Sequence, residues 1–101
     1  WKLFRKKLPG WQEAYMERLC KEYIDLLSSD INASDRFWEL EKRIKDDRKK
    51  TGVIATMSRS KMILNIADLV YDGAISMDEL EEFSDDLKTA VRMLLRMPRR
   101  V

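Results

Sequence analysis

The sequence predicts an all-α protein: a compact bundle of four or five helices with a C-terminal helical hairpin. Three observations predict it. Only three glycines and two prolines interrupt 101 residues. The chain is rich in Leu, Glu, Lys, Arg and Met, the residues that lose least on entering a helix. Its apolar residues recur at threes and fours rather than alternating. Hydrophobic residues make up 45% and charged residues 38%, a balance that builds one core under a solvated surface and argues against disorder. The length suits a single domain over 1–101.

Trp1, Phe4 and Leu8 fall at helical spacing, with Lys2, Arg5, Lys6 and Lys7 between them. Residues 1–10 therefore read as a short amphipathic helix or a basic arm, broken by Pro9 and Gly10. From Trp11 the series Tyr15, Leu19, Tyr23, Leu26 and Leu27 predicts a helix over residues 11–28. Asn32 or Ser34 caps the next one, and Asp35 sits favourably in its first turn. Its expected buried stripe is Ala33, Phe37, Leu40 and Ile44, with Trp38 as a further candidate. Glu39 with Arg43 and Glu41 with Lys45 are acid-first pairs four apart. Gly52 is the expected stop after Arg48, Lys49 and Lys50. Val53 to Thr56 is a β-branched crossover in which Ile54 is expected to enter the core.

Ser58 or Ser60 is expected to cap a helix through Met62, Ile63, Ile66, Leu69 and Val70, the most apolar segment of the chain. Gly73 is its natural terminator, since only glycine takes the left-handed conformation without a Cβ clash. Ser76 and Glu79 then read as a capping box, and Ile75 with Leu80 as its hydrophobic staple. A short acidic helix, Met77 to Phe83, follows. Ser84 before Asp85 and Asp86 is a fresh N-cap, and Leu87, Val91, Leu94 and Leu95 face inward from the last helix. Pro98 stops it, leaving a basic tail over 97–101.

Composition excludes several classes. No uncharged stretch, the apolar Met62 to Ala67 included, approaches the ~20 residues that cross a membrane. Trp1 to Leu8 lacks the long apolar core and cleavage site of a secretory signal. Cys20, the one cysteine, has no internal disulfide partner, so a stapled secreted scaffold is excluded and a cytoplasmic location is expected. There is no histidine, which removes the commonest general base and metal ligand. Cys20 has no activating neighbour and reads as a part-buried structural thiol. The carboxylate pairs Asp46-Asp47, Glu81-Glu82 and Asp85-Asp86 are adjacent in sequence. Neighbours on a helix point ~100° apart, so they do not converge on a substrate atom. No enzyme activity, cofactor or metal is expected.

Two motif readings compete with plain helix punctuation around Gly73. Asp68 to Glu79 overlays a calcium-binding EF-hand loop at several positions, but Val70 stands where an oxygen ligand belongs. Two helices joined by a glycine turn also suggest a DNA-reading helix-turn-helix. Its second helix, however, reads Met77-Asp78-Glu79-Leu80-Glu81-Glu82-Phe83, which phosphates repel. A glycine-terminated helical hairpin explains the same residues without a ligand.

The net charge of +2 conceals a division. Residues 72–86 carry seven acids and no base, residues 1–10 four bases and no acid, and residues 92–100 four arginines and no acid. Such segregation steers charged partners. The candidate partner-binding face is acidic: Asp78, Glu79, Glu81, Glu82, Asp85 and Asp86. The candidate nucleic-acid contacts are Lys2, Arg5, Lys6, Lys7, Arg48, Lys49, Lys50, Arg99 and Arg100, acting on phosphates without sequence preference. Trp11 and Trp38 read as packing residues and Trp1 as an interface anchor. Self-association through Met62 or Leu94 is a further option.

The blocks Leu8-Pro9, Trp11 to Leu19, Lys21-Glu22-Tyr23-Ile24, Phe37 to Ile44, and Asp72-Gly73 to Phe83-Ser84 resemble a family of short, uncharacterised proteins of Gram-positive bacteria, often carried near mobile elements. The likeness covers nearly the whole chain. That family is sometimes labelled a multidrug transporter, a label at odds with the lack of a spanning segment. The resemblance implies a compartment and a genetic context and transfers no catalytic residue. With the charge pattern, it leads to the expectation of a non-enzymatic macromolecule-binding protein: an anti-CRISPR-like inhibitor that sets its acidic face into the basic channel of a host defence nuclease or nucleoprotein complex. The alternative is a nucleic-acid-binding accessory or regulator using its basic ends.

Overall fold

A computed structural model describes residues 1–97. Five α-helices follow one another: α1 Lys2–Leu27, α2 Ala33–Asp47, α3 Thr51–Ile54, α4 Met62–Tyr71 and α5 Asp85–Arg96, with a single 3-10 turn, Met77–Leu80, between the last two. No strand occurs among the described residues, so the fold is all-α, and α4 packs against α5 as the expected C-terminal hairpin. Extents of 51 × 29 × 22 Å reflect two parts, a body with an enclosed core and an arm that projects from it.

The first ten residues do not form a separate arm, and Pro9 and Gly10 break nothing. They lie within α1, which runs unbroken to Leu27. The reason is the face they occupy. Pro9, Gly10 and Arg5 are exposed, so the Arg5 carbonyl that loses its donor faces water. Phe4, Leu8 and Trp11 on the opposite face are buried. An interior proline and glycine cost about 3 and 1 kcal/mol. Burying the three large side chains is worth about 1.5–3 kcal/mol each, which exceeds that sum.

Around Phe4, Leu8 and Trp11 close Ile66, Ala67 and Leu69 of α4, Ile75 and Leu80 of the connection, and Phe83, Leu87 and Val91 leading into α5. An aromatic chain runs through them: ring centroids are 6.0 Å apart for Trp1 and Phe4, 6.4 Å for Phe4 and Trp11, and 6.1 Å for Trp11 and Phe83. Met62 and Leu94, considered above for self-association, are packed against this core.

Helix α4 ends as expected. Gly73 takes φ +78°, its N–H donates to Val70 O at 3.1 Å, and Ala74 N–H reaches Leu69 O at 2.9 Å, which together satisfy carbonyls that would otherwise be orphaned. Arg18 of α1 donates to Gly73 O at 2.7 Å and pins the turn to the body. The capping box does not form. Ser76 makes no side-chain cap bond, and the Met77–Phe83 helix contracts to the 3-10 turn. Ile75 and Leu80 are nonetheless both buried, on either side of that turn. Ser84 is a true cap, accepting from Leu87 N–H at 3.2 Å.

The segment between α2 and α4 also departs from expectation. Gly52 stops no helix and sits within α3, where the Tyr15 ring lies so close that a Cβ would come within 2.4 Å of Cδ2. The glycine is there for close approach. Gln12 donates to Ala55 O at 2.8 Å and Asp72 accepts from Thr51 N–H at 3.1 Å, clamping both ends of α3. Ile54 points outward, 57% exposed. Lys61, not Ser58 or Ser60, precedes α4.

The largest departure is α2, which contains no buried residue. It runs antiparallel to the second half of α1, and the residues it turns inward are Arg36, Leu40, Arg43 and Asp47. Ala33, Phe37 and Ile44, expected in the core, are exposed, as is Trp38. Asn32 precedes the helix without a side-chain cap bond. Cys20, expected to be part-buried, is exposed on the neighbouring face of α1.

Candidate functional site

Leu80, Phe83 and Leu87 plug the C-terminal hairpin into the core, and the residues between them have no choice but to face outward. Asp78, Glu79, Glu81, Glu82, Asp85 and Asp86 are accordingly all exposed. Two of them meet cations. Glu82 Oε1 lies 3.1 Å from Lys7 Nζ, and Asp85 Oδ1 lies 3.9 Å from Lys88 Nζ. The other four have no salt bridge among the described residues. Lys7, proposed for phosphate contact, is thus partly committed to the acidic face. Asp72, the first acid of the run, is turned to Thr51 N–H and belongs to the fold.

The basic candidates separate into two places. Lys2, Arg5 and Lys6 line a shallow cleft with Met57, and the Arg5 guanidinium stands 5.9 Å from the Trp1 ring centroid. Trp1 is half-buried against the core, so it braces Arg5 more than it offers a free anchor. Arg48, Lys49 and Lys50 are exposed at the far end of α2. Arg99 and Arg100 lie outside the described residues.

Between α1 and α2 runs a polar seam that periodicity did not announce. Arg43 reaches Glu22 at 2.8 Å and Asp47 at 3.7 Å. Tyr23 donates its hydroxyl proton to Asp47 at 2.6 Å, and Arg36 donates to Leu27 O at 2.7 Å, satisfying the end of α1. Burial, then the bond to Asp47 and its negative charge, pushes the Tyr23 phenol well above its ordinary value of 10.0. Tyr15 shifts the same way, chiefly through burial. Arg43 is raised, its bond to Glu22 outweighing desolvation. The signal for the seam was present as glutamate, tyrosine, arginine and aspartate on facing sides of two adjacent helices.

The EF-hand overlay does not survive the geometry, because Asp68 and Val70 stay helical within α4 and Asp72 is engaged by α3. No group of three or more His, Cys, Asp or Glu is placed to hold a metal ion among the described residues. Of the adjacent carboxylates, Asp47 turns into the seam while Asp46 faces water. No helix among the described residues is long and apolar enough to cross a membrane. Comparison with protein-family models, curated proteins and solved structures found no match.

Proposed function

We propose that this chain is a non-enzymatic, cytoplasmic protein that binds a macromolecule through its acidic face. The observation that carries the reading is the outward row Asp78, Glu79, Glu81, Glu82, Asp85 and Asp86, held on a rigid backing by the buried side chains of Leu80, Phe83 and Leu87. A charge row that does not have to be ordered on binding loses little entropy there, and it steers a cationic surface toward itself. The concrete version is an anti-CRISPR-like inhibitor of a defence nuclease or nucleoprotein complex, with carboxylates taking the place of phosphates in a basic nucleic-acid channel. The resemblance to proteins found near mobile elements supports that version.

The test compares wild type with a variant carrying Glu81→Lys, Glu82→Lys, Asp85→Lys and Asp86→Lys, first checked for an unchanged helical spectrum. Capture from nuclease-treated lysate of the native cell retains a basic protein on wild type and loses it on the variant. Equal capture by both removes the acidic-face reading. The second reading, a nucleic-acid accessory, is favoured by the Lys2, Arg5 and Lys6 cleft. It requires binding to duplex DNA that falls steeply with salt, and no binding at low salt removes it.

A further inference from the structure

We infer that the phosphate backbone of a nucleic-acid duplex is held where α1 and α4 both begin, by Lys2, Arg5 and Lys6 of α1 together with Arg59 and Lys61 of the loop that leads into α4. The inference rests on the second reading above and is independent of the acidic face. Lys2, Arg5 and Lys6 are spaced three and four residues apart, so they share one side of the first turns of α1, where they line a cleft of about 400 Å³ with Met57. Met57 brings its loop with it. Asn65 of α4 donates its side-chain amide to Thr56 O at 3.3 Å and its backbone N–H to Lys61 O at 2.8 Å, which folds residues 56–61 into a compact bend beside the cleft. Arg59 is two residues from Met57, at most about 7.6 Å between Cα atoms, and Arg59 and Lys61 are both exposed. Farther along, Arg18 of α1 meets Gly73 O just beyond α4, so the two helices run side by side in the same direction.

Charge selects a polyanion. Residues 1–12 hold four bases and residues 48–67 five, with no acid in either stretch. None of the five cations forms a salt bridge among the described residues, and neither α1 nor α4 has an acid in its first turn. Lys7 is the exception among its neighbours, and its ion pair with Glu82 marks the border with the acidic row. The surroundings narrow the polyanion to the backbone of a duplex. An anionic membrane needs apolar side chains free to insert, yet Trp1, Leu3, Phe4 and Leu8 are all packed in or against the core. A single strand is held by bases stacked on aromatic rings, yet the Trp1 ring is stacked on Phe4 and covered by Arg5. Adenine edges are read by amides, yet Gln12 and Asn65, which border the loop, are spent on Ala55 O and Thr56 O. What remains is a set of cations that position phosphates without reading sequence. Arg48, Lys49 and Lys50 belong elsewhere, because Arg48 shares a depression with Leu19, fourteen residues beyond Arg5 and roughly 21 Å along α1.

Fluorescence anisotropy with a short labelled DNA duplex of arbitrary sequence, repeated over a range of salt concentrations, tests this. Five phosphate contacts give a slope of about −4.5 for log affinity against log salt. Arg59→Gln with Lys61→Gln, exposed loop substitutions whose fold is checked by circular dichroism, is expected to weaken binding at least about tenfold at low salt and to bring the slope to about −2.7. Lys2→Gln with Arg5→Gln and Lys6→Gln is expected to bring it to about −1.8. Arg48→Gln with Lys49→Gln and Lys50→Gln leaves affinity and slope unchanged. The same pattern on an RNA duplex, run in parallel, identifies which backbone is bound and upholds the site equally. Binding that keeps its slope without Arg59 and Lys61, or that is lost with Arg48, Lys49 and Lys50 instead, overturns the site and leaves the nucleic-acid reading standing. No binding at low salt removes both. Tighter retention on vesicles of anionic phospholipid than on either duplex assigns the patch to a membrane surface and overturns the proposal as well.

Discussion

The body and the arm are made from the same kinds of residue and end in opposite states. In the body, Phe4, Leu8, Ile66, Leu69, Leu80 and Val91 are fully enclosed. In the arm, α2 encloses nothing and is tied to α1 by Arg43 with Glu22, Tyr23 with Asp47, and Arg36 with the Leu27 carbonyl. The difference lies in the number of walls. The body has four: the first half of α1, α4, the 3-10 turn and α5. The arm has two, and a pair of helices shields only one side of each. A ring of walls converts an apolar stripe into stability, and a lone pair leaves much of it in water for another molecule to cover. The body therefore carries global stability, and the arm is the part that opens first.

The contrast is broken or upheld most decisively by truncating one large apolar residue in each part. Leu69→Ala leaves a cavity in a closed site and is expected to lose about 2–5 kcal/mol in urea unfolding. Phe37→Ala, at a side chain 62% exposed, is expected to change stability by less than about 0.5 kcal/mol. Similar losses at both sites would mean that the arm's apolar face is covered within the single chain. The junction of body and arm comes next. Gly52→Ala forces a methyl group into the Tyr15 ring, and overpacking of this kind destabilises by about 1–3 kcal/mol. Gly10→Ala, with nothing within 4 Å of the added carbon, is expected to stabilise slightly instead, since alanine suits the middle of α1 better.

A smaller effect separates two serines that look alike in sequence. Ser84→Ala removes a cap bond to Leu87 N–H and is expected to lower stability by about 1 kcal/mol. Ser76→Ala removes no cap bond and is expected to leave the midpoint unchanged. A loss at Ser76 equal to that at Ser84 would restore the capping box that the 3-10 turn replaces.

These pairs also mark what was legible in the residues and what was not. Helices α4 and α5, the Gly73 terminator and the Ser84 cap were readable because their signals are local: a positive φ that only glycine takes freely, and a hydroxyl three residues from the amide it caps. The outward acidic row was readable for the same reason, since its neighbours Leu80, Phe83 and Leu87 had to face in. The continuity of α1 across Pro9 and Gly10 was not, because two local breakers are overruled by burial against α4 and α5, elements about sixty and eighty residues away. Nor was the exposure of Phe37 and Ile44. Periodicity states which side chains share a face and is silent on whether anything stands opposite. Gly52 misled for a related reason: a glycine needed for a distant tyrosine looks the same in sequence as one needed for a turn.

The finest distinction between the two parts is their response to alkali. Tyr23 holds the seam of the arm as a neutral phenol donating to Asp47, and its folded-state pKa lies above the ordinary 10.0 because burial, the hydrogen bond and the Asp47 charge all disfavour the phenolate. A value raised on folding gives stability that is complete below the unfolded pKa and is lost as pH rises through the folded one. The arm is therefore expected to hold unchanged from neutral pH to about 10 and to weaken beyond it, through a window set by this phenol. Tyr15 adds to the fall in the same direction where it packs on Gly52. Tyr23→Phe should reduce stability a little at neutral pH, where the bond to Asp47 is lost, and should flatten the decline above pH 10. Urea unfolding of the two proteins across that window, with tyrosinate absorbance followed in parallel, reads both effects. A variant that declines as steeply as wild type would place the alkaline sensitivity in the body and leave the polar seam with no part in it.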